Sequence, residues 1–565
     1  MHQKKWEVAA EMPEAQVEQF PALPPLLLQV LYNRNLREPS EVAGLMSGTW
    51  EEPDLYLLPD TERAVDILIR AIRRREKIAV YGDFDADGVT ATALLVQALT
   101  GLGADVIPYI PRRVDEGYGV NLGALRRLYG EQVRLVVTVD CGIRAVEEID
   151  QARRGLEFIV TDHHSVGRKL PFASAVINPK RADSRYPFPQ LSGVGVAYKL
   201  AQALLREARA CKMPVHVEEP SLLDLVAIGT VADLAPLIGE NRHLVQRGLE
   251  VVNEARREGV RALLRVAGLR PGAVTASSIG FVLGPRLNAA GRLGDATLSY
   301  DLLVSADPVK ADRLAARLNE QNRRRRALTE QAYQLAEQLA LAREGAPALL
   351  FAAHKTFMAG VVGLVAGRLT EAYYRPSVVV EQGDEISKGS CRSIEEFNIT
   401  AALDECSDLL VRHGGHAAAA GFRIRSEQLN ALFHRLSAIA ERELGDRVLA
   451  PTLSIDAEVS LSDMNWEMMG WLEQLEPCGI KNPTPLFLSR GVPLAEARVV
   501  GSEGKHLKLT LATEAEPQDA IAFRLGDRVD EVGQRIDLVY YLEVNEWNGS
   551  RSLQLNVQDF RPASP

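Results

Sequence analysis

Three apolar runs in the first half of the chain each end in a polar loop, and helical stretches separate them. With their loops they are KIAVYGDFD, VRLVVTVDCG and LEFIVTDHH. Strands that are buried on both faces form continuous hydrophobic runs, and strands that alternate with helices are typical of a parallel sheet. The pattern therefore predicts a parallel sheet within residues 75–235. Its strand-end loops meet at the carboxyl edge, where open α/β proteins hold their chemistry.

Acidic and imidazole side chains occupy these loops and the end of the helical run GTVADLAPL. They are Asp83, Asp85, Asp140, Asp162, His163, His164 and Asp233. Clustered carboxylates repel one another, and each is costly to bury unless a cation neutralises it. Carboxylate oxygens with one or two imidazoles suit Mn²⁺ or Mg²⁺ better than zinc, which favours sulfur and nitrogen ligands. The sequence therefore predicts a manganese or magnesium site at this edge.

One further carboxylate in the first loop, Asp87, is open between two roles. It is either a metal ligand or a cap for the helix that begins near Val89, because an aspartate oxygen accepts readily from the free amides of a helix start.

Changes of pattern divide the whole chain. Residues 309–346 form one long run with helical spacing that ends before Pro347, which is typical of a connecting helix. After residue 450, alternating runs such as KHLKLTLAT predict a small antiparallel barrel. The predicted parts are a helical, proline-punctuated wrapping segment (1–74), a parallel-sheet α/β domain (75–235), a helical connector with the long helix (236–345), a smaller α/β domain (346–450) and an all-β barrel (451–565).

Amino-acid composition indicates the cellular compartment of the protein more clearly than its activity. The five cysteines are scattered without C-x-x-C spacing, which argues for a reducing compartment and against a thiolate metal site. The N-terminus lacks the apolar core of a signal peptide, and no stretch approaches 18 uninterrupted apolar residues. We therefore expect a cytoplasmic protein without a membrane partner. The net charge of −10 gives no global sign of nucleic-acid binding, but such binding depends on a local basic groove.

Several motifs resemble one known family. In chain order, YGDFDADGVTAT, VTVDCGI, VTDHH and GTVADLAPL are similar to the four motifs of the DHH phosphoesterase family, and GSCRSI and HGGHAAAAGF resemble its DHHA1 substrate domain. IPRRVDEGYG, GPRLNAAGRLGDA, GVVGLVAGRL and NEWNGSRSLQLNV resemble the bacterial RecJ family within it. The resemblance runs from about residue 20 to the C-terminus. It implies an α/β fold in which a parallel-sheet DHH domain is joined by a long helix to a smaller α/β DHHA1 domain, followed by an all-β OB-fold barrel.

The resemblance also implies an activity. RecJ family members degrade single-stranded DNA from the 5′ end, need Mn²⁺ or Mg²⁺, and act in recombinational, mismatch and base-excision repair. We therefore expect a 5′–3′ exodeoxyribonuclease that uses two ions. The expected partners are single-stranded DNA, a DNA helicase and a single-stranded-DNA-binding protein, and the enzyme is expected to be a monomer.

The family motifs carry roles to individual positions. They imply that the metals are held by Asp83, Asp85, Asp140, His163 and Asp233, with Asp140 shared by both ions. In the implied catalytic set, Asp140 is joined by His164, which faces the scissile phosphate as a charge stabiliser or proton donor. Asp162 completes the set by orienting a histidine.

Substrate contacts are implied outside the metal cluster. The candidate residues are Arg113, Arg286, Asn288, Arg292, Ser390, Arg392, Gly414, Gly415 and His416. Guanidinium groups bind phosphate oxygens bidentately, so a terminal phosphate held by Ser390, Arg392 and Arg113 would set the polarity. In the barrel, the candidates for strand binding are Lys505, Lys508, Trp547 and Arg551, and Trp547 has a core position as its alternative.

Two features of the sequence leave their interpretation open. The run RRRR (323–326) in the connecting helix is first interpreted as a solvated face, with a DNA-tracking role as the alternative. Phe357 and Met358 stand where family members often carry an aromatic residue and a histidine.

Two other functions compete with the exonuclease. One is a DHH enzyme that cuts short oligoribonucleotides or cyclic dinucleotides, although such chains generally lack the C-terminal barrel. The other is a non-catalytic DHH scaffold of a replication machine, although every expected acid and histidine is present here.

Overall fold

A computed structural model describes residues 4–48, 50–112, 116–117, 119–342, 347–513, 517–547 and 549–563, with the side chain of Trp547 excepted. The chain forms two compact units. The first contains Glu51–Leu449, and the second combines His2–Trp50 with Ala450–Pro565.

The N-terminal part of the second unit holds one strand and three helices. They are β1 (Lys5–Val8), α1 (Glu14–Glu18), α2 (Pro25–Asn33) and α3 (Pro39–Ser47). Strand β1 is the partner of a strand that begins at Thr452, in parallel register. The pairing spans more than 400 residues of sequence, so no local pattern indicates it.

The first unit begins with the predicted parallel sheet. Its elements are α4 (Thr61–Arg73), β2 (Lys77–Tyr81), α5 (Ala86–Gly101), β3 (Val106–Tyr109), α6 (Leu122–Gly130), β4 (Val133–Thr138), α7 (Val146–Ala152), β5 (Glu157–Thr161), β6 (Ala175–Ile177), α8 (Gly193–Ala210), α9 (Leu223–Ala232) and α10 (Gly239–Glu254). The strand order is β3-β2-β4-β5-β6, and every pairing is parallel. Successive residues of β2 face opposite cores: Val80 packs with α5, α8 and α9, whereas Tyr81 packs with α6. The apolar runs are therefore strands buried on both faces.

A helical stretch follows and ends in one long helix. Its elements are α11 (Glu258–Ala267), α12 (Ala276–Ser278), a π-helical turn (Ile279–Leu283), α13 (Gly284–Leu293), α14 (Thr297–Val304) and α15 (Pro308–Leu341). Helix α15 has 34 residues and begins where the Asp307 side chain accepts from the Val309 amide. The predicted connecting helix is confirmed.

The second sheet of this unit is mixed. Its elements are β7 (Leu350–His354), α16 (Val362–Tyr373), β8 (Ser377–Glu381), β9 (Ile386–Arg392), α17 (Ile399–Asp404), β10 (Leu410–His416), β11 (Ala419–Arg425) and α18 (Leu429–Leu444). The order is β10-β11-β9-β8-β7, in which only the β7–β8 pair is parallel. Phe357 is buried in the core beside this sheet, and Met358 is exposed.

The C-terminal part of the second unit is the predicted barrel. Its elements are β12 (Thr452–Ile455), β13 (Ala457–Glu458), α19 (Trp466–Glu473), β14 (Phe487–Val500), β15 (His506–Leu511), β16 (Gln518–Ala522), β17 (Arg535–Trp547) and β18 (Ser550–Pro562). Five strands follow in the order β14-β15-β16-β18-β17, and β17 pairs again with β14. The barrel is closed, which confirms the predicted fold class. It is not wholly antiparallel as predicted, because β16 pairs with β18 in parallel. The sequence Asn548-Gly549 between β17 and β18 is typical of a hairpin turn, and Asn548 lies outside the described residues.

The N-terminal segment shares the core of this barrel. Phe20, Leu27 and Leu31 are buried with Leu507, Leu509 and Phe560 in one hydrophobic cluster. The sequence groups residues 1–74 as one helical segment, whereas the structural division falls at Trp50 and the segment also contains β1. The predicted domain limits, this one included, stay predictions. In the part of the chain that the structure describes, no helix is both long enough and apolar enough to cross a bilayer.

Candidate metal centre and substrate face

The acidic cluster is built by the carboxyl ends of neighbouring parallel strands. Asp83 follows β2, Asp140 follows β4 and Asp162 follows β5, while Asp233 ends α9. Asp140 has a positive φ of 57°, a conformation that aspartate and asparagine tolerate better than other residues with a Cβ. The loops therefore turn sharply enough to direct these side chains to one place.

Three groups of side chains place possible ligand atoms within 4.8 Å of one another. They are Asp140 with His163 and His164, Asp87 with His163 and Asp233, and Asp83 with Asp85 and Asp140. Asp140 belongs to two of the groups. His163 Nε2 lies 3.1 Å from Asp140 Oδ1 and 3.8 Å from Asp233 Oδ2. All five sequence-predicted metal ligands thus belong to the cluster.

The atoms at the centre of the cluster fit a cation. Burial and the neighbouring His164 lower the pKa of His163 to about 3, so its ring is neutral, and the ring is hydrogen-bonded to the backbone of Leu191. Nε2 therefore presents a lone pair. Among the described residues, neither Nε2 nor Asp140 Oδ1, 3.1 Å away, has a hydrogen-bond partner. Two buried acceptors at this distance need either a proton or a metal cation between them or beside them.

The carboxylates show the same need. Burial, and then the charges of Asp87, Asp85, Asp233 and Asp83, raise the pKa of Asp140 well above its usual range. Burial and the charges of Asp87 and Asp85 do the same for Asp233. Burial and Asp85 raise the pKa of Asp87 to about 7. Oxygen ligands with one imidazole match Mn²⁺ or Mg²⁺.

We expect the metal-free protein to lose stability as the pH rises from about 4 to 7 and above. A carboxyl whose pKa is raised by folding binds its proton more tightly in the folded state, so its contribution declines as the pH approaches the folded pKa. Denaturant unfolding of the metal-free chain at several pH values checks this. Saturating Mn²⁺ and the Asp140→Asn variant should each flatten the slope. A metal-free protein whose stability increases over this range would contradict the expectation.

Asp87 has a role that neither open alternative describes in full. The cap of α5 is Asp85, whose Oδ1 accepts from the amides of Asp87 and Gly88 at 3.0 Å. The Asp87 oxygens instead accept from Gly193 and Val194, the first amides of α8, at 2.7 and 2.8 Å. The capping prediction was wrong about the helix, because α8 begins more than 100 residues later and no local pattern connects it to this loop. Asp87 also remains within ligand distance of His163 and Asp233.

Asp162 holds the two histidines in place. Its Oδ1 accepts from the amides of His163 and His164 and lies 2.8 Å from His164 Nδ1, while Oδ2 accepts from Ile143 N. Burial opposes protonation of His164, but the Asp162 hydrogen bond and charge outweigh it and raise the pKa of His164. His164 thus carries a proton more readily than a free histidine does.

Helix α13 carries three of the predicted substrate residues and lies against the first acidic loop. Asn288 Oδ1 accepts from Ala86 N at 2.7 Å, and a Cβ on Gly291 would lie 2.4 Å from Phe84 O. Arg292 donates to Gly360 O, before α16. Arg286 donates to Asn319 of α15 and to Val282 O. The helix therefore connects the metal loop with α15 and with the segment before α16.

The run 323–326 is more than a solvated face. Arg325 is half-buried, and within the described part of the chain its Nε has no partner. Burial and the charges of Arg326 and Arg286 lower its pKa. Burial, Arg326 and Arg323 likewise lower the pKa of Arg286. These arginines form a local concentration of positive charge on a protein of negative net charge.

Four of the other predicted substrate residues, Ser390, Arg392, Gly414 and His416, share one face of the second sheet. Across β10, β11 and β9, His416 pairs with Ala419 and then Arg392, in one row. Gly414 pairs with Gly421 and then Ser390 in a second row, two residues away on the same face. Gly415 lies on the opposite face, where a Cβ would meet Ala419 and Ala420.

The two side chains on β9 point to the start of α16. Arg392 NH1 donates to Ser390 Oγ at 3.3 Å, and a Cβ on Gly363 would lie 3.0 Å from Ser390 Oγ and 3.2 Å from Arg392. Gly363 thus permits the helix start to approach both groups. The remaining member of the predicted end-binding set, Arg113, lies outside the described residues.

The barrel candidates are partly engaged within their own unit. Lys508 pairs with Asp519 at 3.0 Å, Lys505 pairs with Glu503, and Arg551 pairs with Glu546 and lies over the Trp466 ring. The side chain of Trp547 lies outside the description.

Two further positions, Lys180 and Phe281, escaped the sequence analysis. Lys180 is partly buried, and the charges of Asp233 and Asp162 act on it, although burial lowers its pKa. Its motif NPKR was the available signal, but the motif alone does not show that the side chain faces the acids. Phe281, in the π-helical turn before α13, is 83% exposed. Hydrophobic periodicity identifies buried positions, so it does not distinguish an exposed aromatic residue such as Phe281 from a core residue.

Comparisons with known proteins agree with this architecture. The chain matches the model of the DHH family N-terminal domain over residues 77–230, the DHHA1 domain over 346–442 and the RecJ OB domain over 455–559. It is 37% identical to the single-stranded-DNA-specific exonuclease RecJ of Bacillus subtilis, over 95% of this chain and 68% of that protein. It is 36% identical to the Escherichia coli protein of the same name, over 96% of each.

A solved structure extends the likeness to three dimensions. RecJ from Thermus thermophilus in complex with Mn²⁺ matches with a TM-score of 0.84 and 32% identity, over 99% of this chain and 80% of that one. The corresponding Mg²⁺ complex matches with a TM-score of 0.79. The sequence-based recognition is confirmed, and the chain belongs to the RecJ family.

Proposed function

We propose that this protein is a single-stranded-DNA-specific exonuclease that hydrolyses phosphodiester bonds from the 5′ end with two divalent cations, Mn²⁺ or Mg²⁺. The observation that carries the proposal is the pair of buried acceptors, His163 Nε2 and Asp140 Oδ1, inside a ring of carboxylates. The relatives named as single-stranded-DNA-specific exonucleases, and the Mn²⁺ and Mg²⁺ complexes, support the substrate and the cofactor.

The cations would be held by Asp83, Asp85, Asp140, His163 and Asp233, with Asp140 common to both. When bound, two such ions supply an activated water and stabilise charge at the scissile phosphate. The protein contributes fixed geometry. The Leu191 backbone orients the His163 ring, and the amides of α8 hold Asp87 behind the cluster.

His164 is the proposed proton donor and charge stabiliser. Asp162 holds Nδ1, so the ring has a fixed orientation, and the raised pKa favours a proton on Nε2. An imidazolium at this position lowers the barrier by stabilising negative charge on the leaving oxygen or by donating its proton to that oxygen. Asp162 acts through His164 and makes no contact with substrate in this proposal.

The 5′ polarity would come from the face of the second sheet. Ser390, Arg392 and the start of α16 at Gly363 together offer a hydroxyl, a guanidinium and a helix N-terminus to a terminal phosphate. His416 lies two strands away in the row of Arg392 and can contact the same or the next phosphate. The family role of Arg113 completes this set.

We expect Arg392→Ala to remove most of the preference for a 5′-phosphorylated end. Loss of a charged hydrogen-bond partner costs about 1.5–3 kcal/mol, or roughly 10–100-fold in kcat/KM. The measurement compares phosphorylated with hydroxyl-ended oligonucleotides on wild type and variant. Arg442→Ala is the matched control, because that arginine belongs to the same domain and pairs with the exposed Glu405. Equal losses on both substrates would mean that Arg392 does not bind the end.

Beyond the metal centre, the single-stranded DNA would lie along a positively charged surface. Arg286, Arg323, Arg325 and Arg326 offer phosphate contacts next to α13, and the OB-fold barrel supplies a second binding surface. We place the enzyme in the cytoplasm as a monomer, in recombinational, mismatch and base-excision repair. A helicase would supply the single strand, and a single-stranded-DNA-binding protein would present it.

One assay separates this proposal from its rivals. End-labelled single-stranded DNA, RNA and duplex DNA are incubated with the protein and Mn²⁺, and products are resolved by length. Mononucleotides released from the 5′ end of single-stranded DNA support the proposal. Faster cleavage of short oligoribonucleotides or cyclic dinucleotides would support the first rival, and no cleavage with any divalent metal would support a scaffold.

A further inference from the structure

The first turn of α10 contacts two loops next to the metal centre, one that begins with Asp233 and one whose backbone bonds the ring of His163. The entry loop, residues 186–192, leads into α8 and includes Leu191, whose backbone bonds the His163 ring. The Asp233 loop, residues 233–238, connects α9 to α10. The two loops are more than 40 residues apart in sequence, so a third element must determine their separation.

Asn241 joins these loops through one amide group. Its Nδ2 donates to Gln190 O in the entry loop at 2.7 Å and to Pro236 O in the Asp233 loop at 3.1 Å. Asn241 is fully buried, so water does not compete for these carbonyls. Gln190 directly precedes Leu191, and Pro236 lies three residues after Asp233.

The neighbouring Glu240 anchors the same turn. Both of its carboxylate oxygens accept from the Tyr186 hydroxyl of the entry loop, at 2.9 and 2.7 Å, and it pairs with Lys199 of α8 at 2.5 Å. Glu240 and Lys199 are almost fully buried. Removing one partner of such a pair leaves an uncompensated buried charge, so the turn is held firmly against α8.

We propose that Asn241 is a positioning residue for the metal centre, which fixes the separation of His163 and Asp233 by joining the loops behind them. The inference rests on the proposed metal binding. The distance in question is the 3.8 Å between His163 Nε2 and Asp233 Oδ2. Without the amide, the two carbonyls have no common donor, and the loops can move apart while every ligand side chain is retained.

If Asn241 had only a structural role, its removal would lower stability but not Mn²⁺ affinity. A second buried asparagine serves as the matched control for this difference. Asn482, in the other compact unit, is also buried, and its Nδ2 donates to two carbonyls, Leu475 O at 3.0 Å and Pro477 O at 2.9 Å. Asn241→Ala and Asn482→Ala therefore each remove two hydrogen bonds from a side-chain amide to backbone carbonyls at a buried site. Only Asn241 joins the loop of one proposed ligand, Asp233, to the loop that holds another, His163, through its ring.

The experiment titrates Mn²⁺ alone into the metal-free full-length chain by calorimetry and measures unfolding in parallel. Asn241→Ala should weaken Mn²⁺ binding by roughly 10–100-fold, as changes behind metal ligands commonly do. The Mn²⁺ concentration for half-maximal hydrolysis should rise by a similar factor, with kcat largely recovered at saturating metal. Asn482→Ala should leave Mn²⁺ binding unchanged.

Each outcome decides between the alternatives. If Asn241→Ala unfolds, Asn241→Ser, which keeps one short donor, is titrated in its place. If an Asn241 variant is destabilised but folded and binds Mn²⁺ with wild-type affinity, the residue has only a structural role and the inference is overturned. A wild-type chain that binds Mn²⁺ but cuts no single-stranded DNA would overturn the proposed function and leave the role of Asn241 intact.

Discussion

Asp140→Asn is expected to lower kcat/KM on single-stranded DNA by at least about 10³-fold, more than the roughly 10²–10³-fold lost when a single preorganised donor is removed from an active site. The reason is that Asp140 belongs to two of the three groups of possible metal ligands. It shares ligand distance with the two histidines and also with Asp83 and Asp85, so one substitution weakens both halves of the cluster. Hydrolysis of an end-labelled oligonucleotide at several Mn²⁺ concentrations measures the loss.

Asparagine is the appropriate replacement because of the backbone. The φ of 57° at Asp140 favours asparagine over alanine, so Asp140→Asn changes the charge without adding strain. The variant should also be more stable than the wild type in the absence of metal at pH 8, since it lacks a buried carboxylate that four neighbouring acids repel. Near-normal turnover of Asp140→Asn would contradict the assignment of Asp140 as a ligand shared by both ions. Lower stability of the metal-free variant would contradict the proposed repulsion between Asp140 and its acidic neighbours.

The sequence predicted the centre well because parallel strands impose a simple geometry. Each of the three runs ends in a loop at the same edge, so Asp83, Asp140 and His163 had to lie close together once the sheet was recognised. Asp233 follows a helical run and has no strand to indicate its place, so its inclusion rested on the acidic pattern and on the family motif GTVADLAPL.

Contacts between distant segments were not predictable in the same way. Asp87 was judged from its neighbours, whereas its hydrogen bonds go to amides of α8 more than 100 residues later. Asn241 gave no signal at all, because its two acceptors belong to separate loops. Both cases depend on which loops the fold brings together, and composition or periodicity does not contain that information.

The charge of the connecting helix shows a third limit. Four consecutive arginines point to all sides of a helix, so their sequence alone favours exposure to solvent and shows no common partner. The packing of α13 beside α15 brings Arg286 to the same place, and burial of Arg325 makes one of the four different from the rest. Only the crossing of two helices reveals this local positive charge.

The N-terminal segment determines how the barrel can be removed. Phe20, Leu27, Leu28, Val30 and Leu31 are all buried in the core that they share with the barrel strands. At about 1.5–3 kcal/mol for each side chain, this burial stabilises the second unit by roughly 8–15 kcal/mol. A cut at residue 450 that leaves the N-terminus in place would expose these side chains to water.

We therefore expect residues 1–449 to aggregate and residues 51–449 to fold cooperatively as a monomer. The shorter chain keeps the parallel sheet, the long helix, the second sheet and every proposed metal ligand, since these lie between Asp83 and Asp233. Light scattering and denaturant unfolding of both fragments test the difference. Residues 51–449 should bind Mn²⁺ as the full chain does but bind single-stranded DNA more weakly and with a smaller salt slope, because fewer phosphates are neutralised. Equal solubility of the two fragments would contradict the shared core, and an unchanged salt slope would mean that the barrel binds something other than the strand.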